Sequence, residues 1–141
     1  MVNQEETPPA VKLKVLLVDT LVARLGVLKV LVESQTVGST MVGTASNAST
    51  AVEAVNELAP DVVMLEIQLP VEAGMETLCT LRGCFPTLPI VVCSFRRDRE
   101  TKEQAIRAGA NVFLDKPVTA HQIAAAFAQV VPSPSYEPEM S

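Results

Sequence analysis

The sequence predicts an α/β fold in which a doubly wound, five-stranded parallel sheet is sandwiched between five helices. Short apolar runs rich in β-branched residues alternate along the chain with segments of helical periodicity. The runs are apolar at nearly every position, which is typical of parallel strands covered on both faces. Right-handed crossovers between such strands place helices on both sides of the sheet.

The composition fits one folded domain and argues against nucleic-acid and membrane binding. Of 141 residues, 48% are hydrophobic and 19% are charged, which is too apolar for a disordered chain. The net charge of −5 leaves no excess of Lys and Arg to contact nucleic-acid phosphates or an anionic membrane surface. No apolar run approaches the roughly 20 residues of a membrane span, and the N-terminus is too polar for a signal peptide. We therefore expect a cytoplasmic protein.

Both ends of the chain have the composition of tails. Residues 1–10 contain Glu and Pro without periodicity, and residues 132–141 are rich in Pro and Ser, as in a tail or linker. The folded domain is therefore predicted over residues 11–131.

The first strand is predicted where Val15-Leu16-Leu17-Val18 forms an apolar run that ends at Asp19. A helix is predicted over residues 21–34, because apolar residues recur there at helical spacing. Its predicted buried face consists of Leu21, Leu25, Leu28 and Val32. A weaker strand is predicted around residues 41–44.

The middle of the chain repeats the alternation. Residues 50–58 are predicted as a helix that ends before Pro60, because proline disfavours the helical conformation in the residue before it. The third strand is predicted over residues 61–65, and a short helix over about 75–83. The fourth strand is predicted over residues 90–93.

The last elements carry recognisable end signals. Residues 99–108 are predicted as a helix ending at Gly109, which is a favourable residue just past a helix C-terminus. Residues 112–114 are predicted as the fifth strand. The last helix is predicted over residues 119–131, with Thr119 as its N-cap.

Polar residues follow four of these five strands. Open α/β sheets place their sites at the carboxyl ends of the strands. The residues in question are Asp19, Thr20, Glu66, Ser94, Asp115 and Lys116.

Four stretches of the sequence resemble the receiver domain of two-component response regulators, the CheY-like family. They are VLLVD at 15–19, PDVVMLEIQLP at 60–70, PIVVCS at 89–94 and AGANVFLDKP at 108–117. The resemblance covers roughly residues 12–131. It implies a flavodoxin-like fold of the receiver type and a role in bacterial phosphorelay signal transduction.

The resemblance also implies roles for individual residues. In the family, an Asp after the third strand accepts a phosphoryl group, and acidic residues after the first strand help to hold Mg²⁺. Asp19 matches the first of these acidic positions, and Ser94 and Lys116 match the hydroxyl and lysine that contact the phosphate. Phe113 matches the aromatic residue that reorients on activation, and Pro117 matches a proline that often follows a cis peptide bond. Pro70 and Gly74 match the loop after the acceptor.

Two residues depart from the family pattern. Glu66 occupies the acceptor position, and Thr20 occupies the second acidic position. The extra methylene of Glu moves its carboxylate outward by about 1.5 Å, which is costly where chemistry depends on positioning. We therefore expect no catalytic residue, no resident cofactor, and at best weak Mg²⁺ binding through Asp19. The longer side chain of Glu66 is expected to approach Lys116 or the Ser94 hydroxyl and to imitate a phosphoryl group.

Several of these residues also have a plainer interpretation. Carboxylates at strand ends are often merely solvated, and this would apply to Asp19 and Glu66. Lys116 would be an ordinary surface lysine were it not placed before Pro117. Ser94 is equally well interpreted as the N-cap of the following helix.

The loop after the fourth strand contains three arginines. Arg96, Arg97 and Arg99 are interpreted as a solvated charged loop with Asp98 as partner. The alternative is a contact loop for a protein partner.

The cysteines and the single histidine lack the pattern of a metal or catalytic site. Cys79, Cys84 and Cys93 have no close CxxC pair, so they are predicted to be small hydrophobic residues. His121 is predicted to be exposed on the last helix. This position argues against a catalytic triad that contains Cys93.

The main hypothesis is a pseudo-receiver that signals through protein–protein interaction without Asp phosphorylation. It would bind partners through the surface formed by the fourth helix, fifth strand and fifth helix, and the Ala-rich last helix makes a homodimer an alternative. No enzymatic activity and no direct contact with nucleic acid or membrane are expected.

Two alternatives remain. Glu66 would be a phosphomimetic replacement in a phosphorylation-type receiver that feeds a transcriptional output, although Thr20 weighs against this. The third hypothesis is a small α/β enzyme using Cys93 or Asp19. It ranks last, because the sequence contains no nucleophile–base pair and no glycine-rich phosphate loop.

Overall fold

A computed structural model describes residues 12–21, 25–68, 70–95 and 98–132. Over these residues, strands and helices alternate along the chain. They are β1 Leu13–Val18, α1 Leu25–Val32, β2 Ser39–Ala45, α2 Ala48–Leu58, β3 Val62–Glu66, α3 Val71–Cys84, β4 Ile90–Ser94, α4 Arg99–Ala108, β5 Val112–Asp115 and α5 Ala120–Val130. The strands form one parallel sheet in the order β2-β1-β3-β4-β5. The predicted fold class is confirmed. The predicted tails lie outside the described residues, apart from Pro132.

Two apolar layers explain why the central strands are apolar at every position. In β1, Leu16 and Val18 face the layer that contains α2, α3 and α4. Val15 and Leu17 face the layer that contains α1 and α5. Both faces of the strand are therefore removed from water, so an alternating polar pattern is absent. In the part of the chain that the structure describes, no helix is long and apolar enough to cross a membrane.

The helix ends predicted from Thr119 and Gly109 are confirmed. The Thr119 hydroxyl accepts a hydrogen bond from the Gln122 amide at 3.1 Å, and the Gln122 side chain accepts one from the Thr119 amide at 2.8 Å. These reciprocal bonds form a capping box at the start of α5. Gly109 follows α4 with a φ of 118°, as expected of a residue just past a helix C-terminus.

The start of α1 differs from the sequence prediction. Leu25, Leu28 and Val32 are buried as predicted, but Leu21 is 47% exposed and precedes the described helix. The Leu21 amide donates to Asp19 Oδ1 at 3.1 Å. This bond holds the chain in a turn directly after β1, which moves Leu21 away from the predicted buried helix face.

The third helix is longer than the sequence predicted. It begins at Val71 rather than near residue 75, with Pro70 as its N-cap. Gly74 therefore lies inside the helix and not in a loop, and it is buried. A Cβ at Gly74 would lie 2.8 Å from Ile67 Cγ1, so the missing side chain allows α3 to approach the end of β3. A glycine in its first turns weakens the helical pattern of the sequence.

We predict that Gly109→Ala lowers the free energy of unfolding by about 2–4 kcal/mol. An alanine would have to adopt a left-handed conformation, and its Cβ would lie 2.6 Å from Arg82 Cγ. Arg82 is held in place because its guanidinium donates to the Gly109 carbonyl at 2.7 Å and 3.1 Å. Urea denaturation measures the loss. Gly83→Ala is the control, because no heavy atom lies within 4 Å of its added Cβ; a loss at Gly83 equal to that at Gly109 would contradict the prediction.

Candidate functional site

Four neighbouring strands deliver polar side chains to the carboxyl edge of the sheet. Asp19 follows β1, Glu66 ends β3, Ser94 ends β4 and Lys116 follows β5. The ladder extends past the strand ends, since the Lys116 amide donates to the Ser94 carbonyl at 2.9 Å. We call these four residues and Thr20 the strand-end pocket. Its position is the one that the parallel topology predicts.

The carboxylates of the pocket are buried. Asp19 is 0% exposed and Glu66 is 2% exposed, so the interpretation of both as solvated loop residues is wrong. Asp19 follows β1 and Glu66 ends β3. Both are inner strands, where helices cover both faces of the sheet. A buried carboxylate requires compensating partners, because burial disfavours its charged form.

The ammonium of Lys116 provides such a partner for Glu66. Lys116 Nζ donates to Glu66 Oε2, and the exposed fractions of the two side chains are 17% and 0%. Gln68 Nε2 donates to the same oxygen at 2.7 Å. Two donors, the Lys116 ammonium and the Gln68 amide, therefore bind the same oxygen of the buried Glu66 carboxylate.

Ser94 belongs to the pocket and does not cap a helix. Its buried hydroxyl donates to the Ile67 carbonyl at 2.7 Å, which links the ends of β4 and β3. The N-cap of α4 is Asp98, whose carboxylate accepts from the Thr101 amide at 3.0 Å. The alternative prediction of Ser94 as the helix cap is wrong, because the chain extends four residues further before α4 begins.

Asp19 is held by local contacts on one carboxylate oxygen. Its Oδ1 accepts from the Leu21 amide at 3.1 Å and, at a long 3.5 Å, from the Thr20 hydroxyl. Its Oδ2 is buried and accepts no hydrogen bond from the described residues. Thr20 is exposed.

This donor set supplies fewer carboxylates than a Mg²⁺ site favours. Magnesium requires near-octahedral coordination by hard oxygen ligands and favours carboxylates. Asp19 offers one carboxylate, but Oε2 of Glu66 is bound by an ammonium and an amide. A divalent cation beside Glu66 would face the positive charge of Lys116. Within the described ranges, no three His, Cys, Asp or Glu side chains are grouped so as to hold a metal.

The structure also describes Pro117 and Phe113, which the sequence analysis singled out. The Lys116–Pro117 peptide bond is cis, as predicted from the match to Pro117. Phe113 is half-buried and packs against the apolar layer beneath α2, α3 and α4. Its predicted role as a switch residue stays a prediction.

Sequence reasoning missed two residues beside the pocket, Gln68 and Phe95. The ring centroid of Phe95 lies 4.9 Å from Lys116 Nζ, while Phe95 itself is 61% exposed. The signal that would have found them is their place in the chain. Gln68 lies two residues after Glu66, and Phe95 directly follows Ser94. Both therefore lie just past the strand ends that carry the pocket residues.

The cysteines divide into one buried and two exposed residues. Cys93 is buried in β4 as predicted. Cys79 and Cys84 were predicted to be small hydrophobic residues, but both are exposed on α3 and do not contribute to the core. The helical spacing places both on the water side, opposite the packed residues Leu78 and Leu81.

The remaining predicted surface residues are partly described. His121 is exposed near the start of α5, as predicted. Arg99 begins α4 and lies 3.4 Å from Glu103 in an exposed ion pair. Arg96 and Arg97 lie outside the described residues.

We predict that Cys93 resists thiol reagents in the native protein, whereas Cys79 and Cys84 react. Burial, and secondarily the charge of Glu66, raises the pKa of the Cys93 thiol far above its ordinary value. The reactive species is the thiolate, so Cys93 has neither access nor charge. Reaction with Ellman's reagent at pH 8, followed by peptide mass spectrometry, measures this. Rapid labelling of Cys93 in the folded protein would contradict the prediction, and labelling in urea is the control.

The fold and the strand-end pocket together define the class of the protein. A five-stranded parallel sheet with the order β2-β1-β3-β4-β5 carries two acidic residues, a serine and a lysine at its carboxyl edge. The family profile of the response regulator receiver domain matches residues 15–128. The chain belongs to this family and is a receiver domain of two-component signalling.

Three known proteins illustrate the relationship. The transcriptional regulatory protein KdpE of Mycobacterium tuberculosis is 41% identical over 91 residues, which cover 64% of this chain and 40% of KdpE. The chemotaxis protein CheY of Thermotoga maritima is 32% identical over 93 residues, covering 66% of this chain and 78% of CheY. The crystal structure of the NtrX receiver domain from Brucella abortus is 28% identical with a TM-score of 0.71, covering 82% of this chain and 96% of that one.

Proposed function

We propose that this receiver domain is an atypical one, a pseudo-receiver that signals through protein–protein interaction without phosphorylation of an aspartate. The observation that carries the proposal is the contact between Glu66 and Lys116. In the family, the lysine at this position contacts the phosphoryl group. Here the protein's own carboxylate supplies a negative charge to that lysine.

The opposite charges of Glu66 and Lys116 support the proposal. Glu66 and Lys116 have opposite formal charges, and the carboxylate lies on a side chain that is 0% exposed. A low local dielectric strengthens such a contact relative to a surface ion pair. An added phosphoryl group would therefore have to displace Glu66 before it could reach Lys116.

The same contacts argue against metal-dependent and enzymatic roles. We infer that Mg²⁺ binds weakly at best, through Asp19, because Thr20 supplies no carboxylate and Glu66 is engaged. The Cys93 thiol is buried and held protonated by its raised pKa, which makes it a poor nucleophile. The proposed role is therefore binding rather than catalysis.

The partner is proposed to be a protein that contacts the surface formed by α4, β5 and α5. This surface includes Arg99, Lys102, Ile106 and Arg107 of α4, which are exposed. Three basic side chains are too few for a nucleic-acid site, and an exposed isoleucine suits a protein contact. A homodimer through the same surface is the alternative to a different protein partner. We also propose that the domain acts in the cytoplasm.

A second candidate is a phosphomimetic receiver that feeds a transcriptional output. It is favoured by the similarity to KdpE, which is a transcriptional regulatory protein; the chain spans 40% of its length. In this case Glu66 would hold the domain in the state that phosphorylation produces in its relatives. Thr20 argues against a receiver that changed only its acceptor.

The test is an amide-resolved NMR titration with Mg²⁺ and then with beryllofluoride, which imitates a phosphoryl group. We expect no saturable shifts at Asp19, Glu66 or Lys116 in the wild-type domain. Glu66→Ala is expected to move the amide signals of Ser94, Phe113 and α5, because the internal charge is removed. Saturable beryllofluoride shifts in the wild type, or an unchanged spectrum in Glu66→Ala, would overturn the proposal.

A further inference from the structure

The ion pair between Glu66 and Lys116 is contacted from both sides by residues outside the strand-end pocket. Gln68 donates its amide to Glu66 Oε2 at 2.7 Å. On the other side, the Phe95 ring centroid lies 4.9 Å from Lys116 Nζ. One neighbour thus holds the carboxylate, and the other covers the ammonium.

We propose that Gln68 and Phe95 are positioning residues that hold the ion pair together and keep Lys116 from external anions and reagents. The inference rests on the proposed function, because it concerns how the internal charge at Glu66 is maintained. It goes further in assigning the maintenance to two side chains that do not belong to the family's phosphate-binding set.

The contact of Phe95 is suited to holding a cation. The face of an aromatic ring is electronegative and attracts an ammonium within about 6 Å of the centroid. Phe95 is 61% exposed, so its ring is not fixed by burial in the core. The side chain of Lys116 is only 17% exposed although it follows an edge strand. A ring over its ammonium accounts for part of this protection.

The contact of Gln68 is suited to orienting a carboxylate. Its amide donates to the same oxygen as Lys116, so two donors converge on Glu66 Oε2. A neutral amide adds no charge, so it leaves the ion pair balanced. Its effect is to restrict rotation of the Glu66 carboxylate and to keep Oε2 directed at the lysine.

The consequence is a lysine of low reactivity. An acylating reagent has to reach the nitrogen of the side chain, and Lys116 Nζ is bound by the Glu66 carboxylate on one side and faced by the Phe95 ring on the other. The test compares acetylation of Lys116 by N-hydroxysuccinimidyl acetate with acetylation of the exposed Lys102 in the same sample. Peptide mass spectrometry after short exposure gives the acetylation rate of Lys116 divided by that of Lys102. Differences in reagent concentration or pH affect both rates and cancel in this ratio.

Removal of either positioning residue should increase the ratio. We expect Phe95→Ala and Gln68→Ala each to raise it by about threefold to tenfold, the factor that one contact of this strength supplies. Phe95→Tyr should keep the wild-type ratio because it keeps the ring. Phe95→Leu should behave like Phe95→Ala, because it has apolar bulk but no ring. Val30→Ala is the matched control, since Val30 is an exposed apolar residue on α1.

Glu66→Gln separates this inference from the proposed function. If Glu66→Gln raises the ratio but Phe95→Ala and Gln68→Ala do not, the positioning roles are overturned and the internal ion pair stands. If Glu66→Gln leaves the ratio unchanged, the ion pair and the proposed function both fail. A rise in only one of the two alanine variants overturns the role of the other residue. Amide spectra of each variant verify that it is folded, and Phe95→Leu replaces Phe95→Ala if the latter is not.

Discussion

Replacement of Lys116 by methionine is expected to lower the free energy of unfolding by about 3–5 kcal/mol. The variant keeps the length and apolar character of the side chain but removes its charge. The Glu66 carboxylate, which is 0% exposed, then loses the cation that compensates for its burial. Urea denaturation followed by circular dichroism measures the loss.

A double variant tests the interpretation of that loss. Glu66→Leu combined with Lys116→Met removes both charges, and replacing a buried ion pair by apolar residues is often neutral or stabilising. We expect it to recover most of the stability that Lys116→Met loses. The non-additivity of the single changes then measures the coupling between the two residues.

The exposed pair of Lys29 and Glu33 provides the matched control. Lys29 Nζ lies 2.9 Å from Glu33 Oε1, but the exposed fractions of these side chains are 50% and 33%. Exposed pairs of this type contribute about 0–1 kcal/mol, so Lys29→Met should have little effect. A loss in Lys116→Met no larger than that in Lys29→Met would contradict the prediction and would place Glu66 in effective contact with solvent.

The fold was predictable from the sequence because its signals are local and repeated. Apolar runs such as Val15-Leu16-Leu17-Val18 predicted strands covered on both faces, and the two apolar layers explain why. Thr119 and Gly109 predicted helix ends because capping depends on a few neighbouring residues. The start of α3 was missed, since Gly74 lowers helix propensity yet is required for close packing against Ile67.

The candidate site was predictable in its members but only partly in its contacts. The rule that parallel strands end at one edge brought Asp19, Glu66, Ser94 and Lys116 together. It gave no means of choosing between the two environments considered for Ser94, because a serine has the same local pattern in both. The rotamer of Gln68 and the position of the Phe95 ring depend on loop conformation. Hydrophobic periodicity predicts helices and strands but not the conformation of loops. Such contacts are set by the tertiary structure around the loops, which local sequence patterns do not specify.

The departures at positions 20 and 66 lead to the second large effect. We expect the double variant Thr20→Asp with Glu66→Asp to bind Mg²⁺ at least about tenfold more tightly than the wild type, a change equivalent to ~1.4 kcal/mol. Aspartate at position 66 is one methylene shorter, which withdraws its carboxylate from Lys116 by about 1.5 Å. Aspartate at position 20 adds a hard oxygen ligand beside Asp19, so three carboxylates then lie at the same edge.

Amide shifts during a Mg²⁺ titration measure the affinity, and the single variants are expected to lie between the wild type and the double variant. Thr87→Asp is the control for charge alone. It adds the same negative charge in the exposed loop before β4, and β4 runs from that loop toward the pocket at its opposite end. If the double variant binds Mg²⁺ no better than Thr87→Asp, then the contact between Glu66 and Lys116 does not exclude the metal. Attention would then turn to Asp19, the ligand that all variants share, because its Oδ1 is already bound by the Leu21 amide.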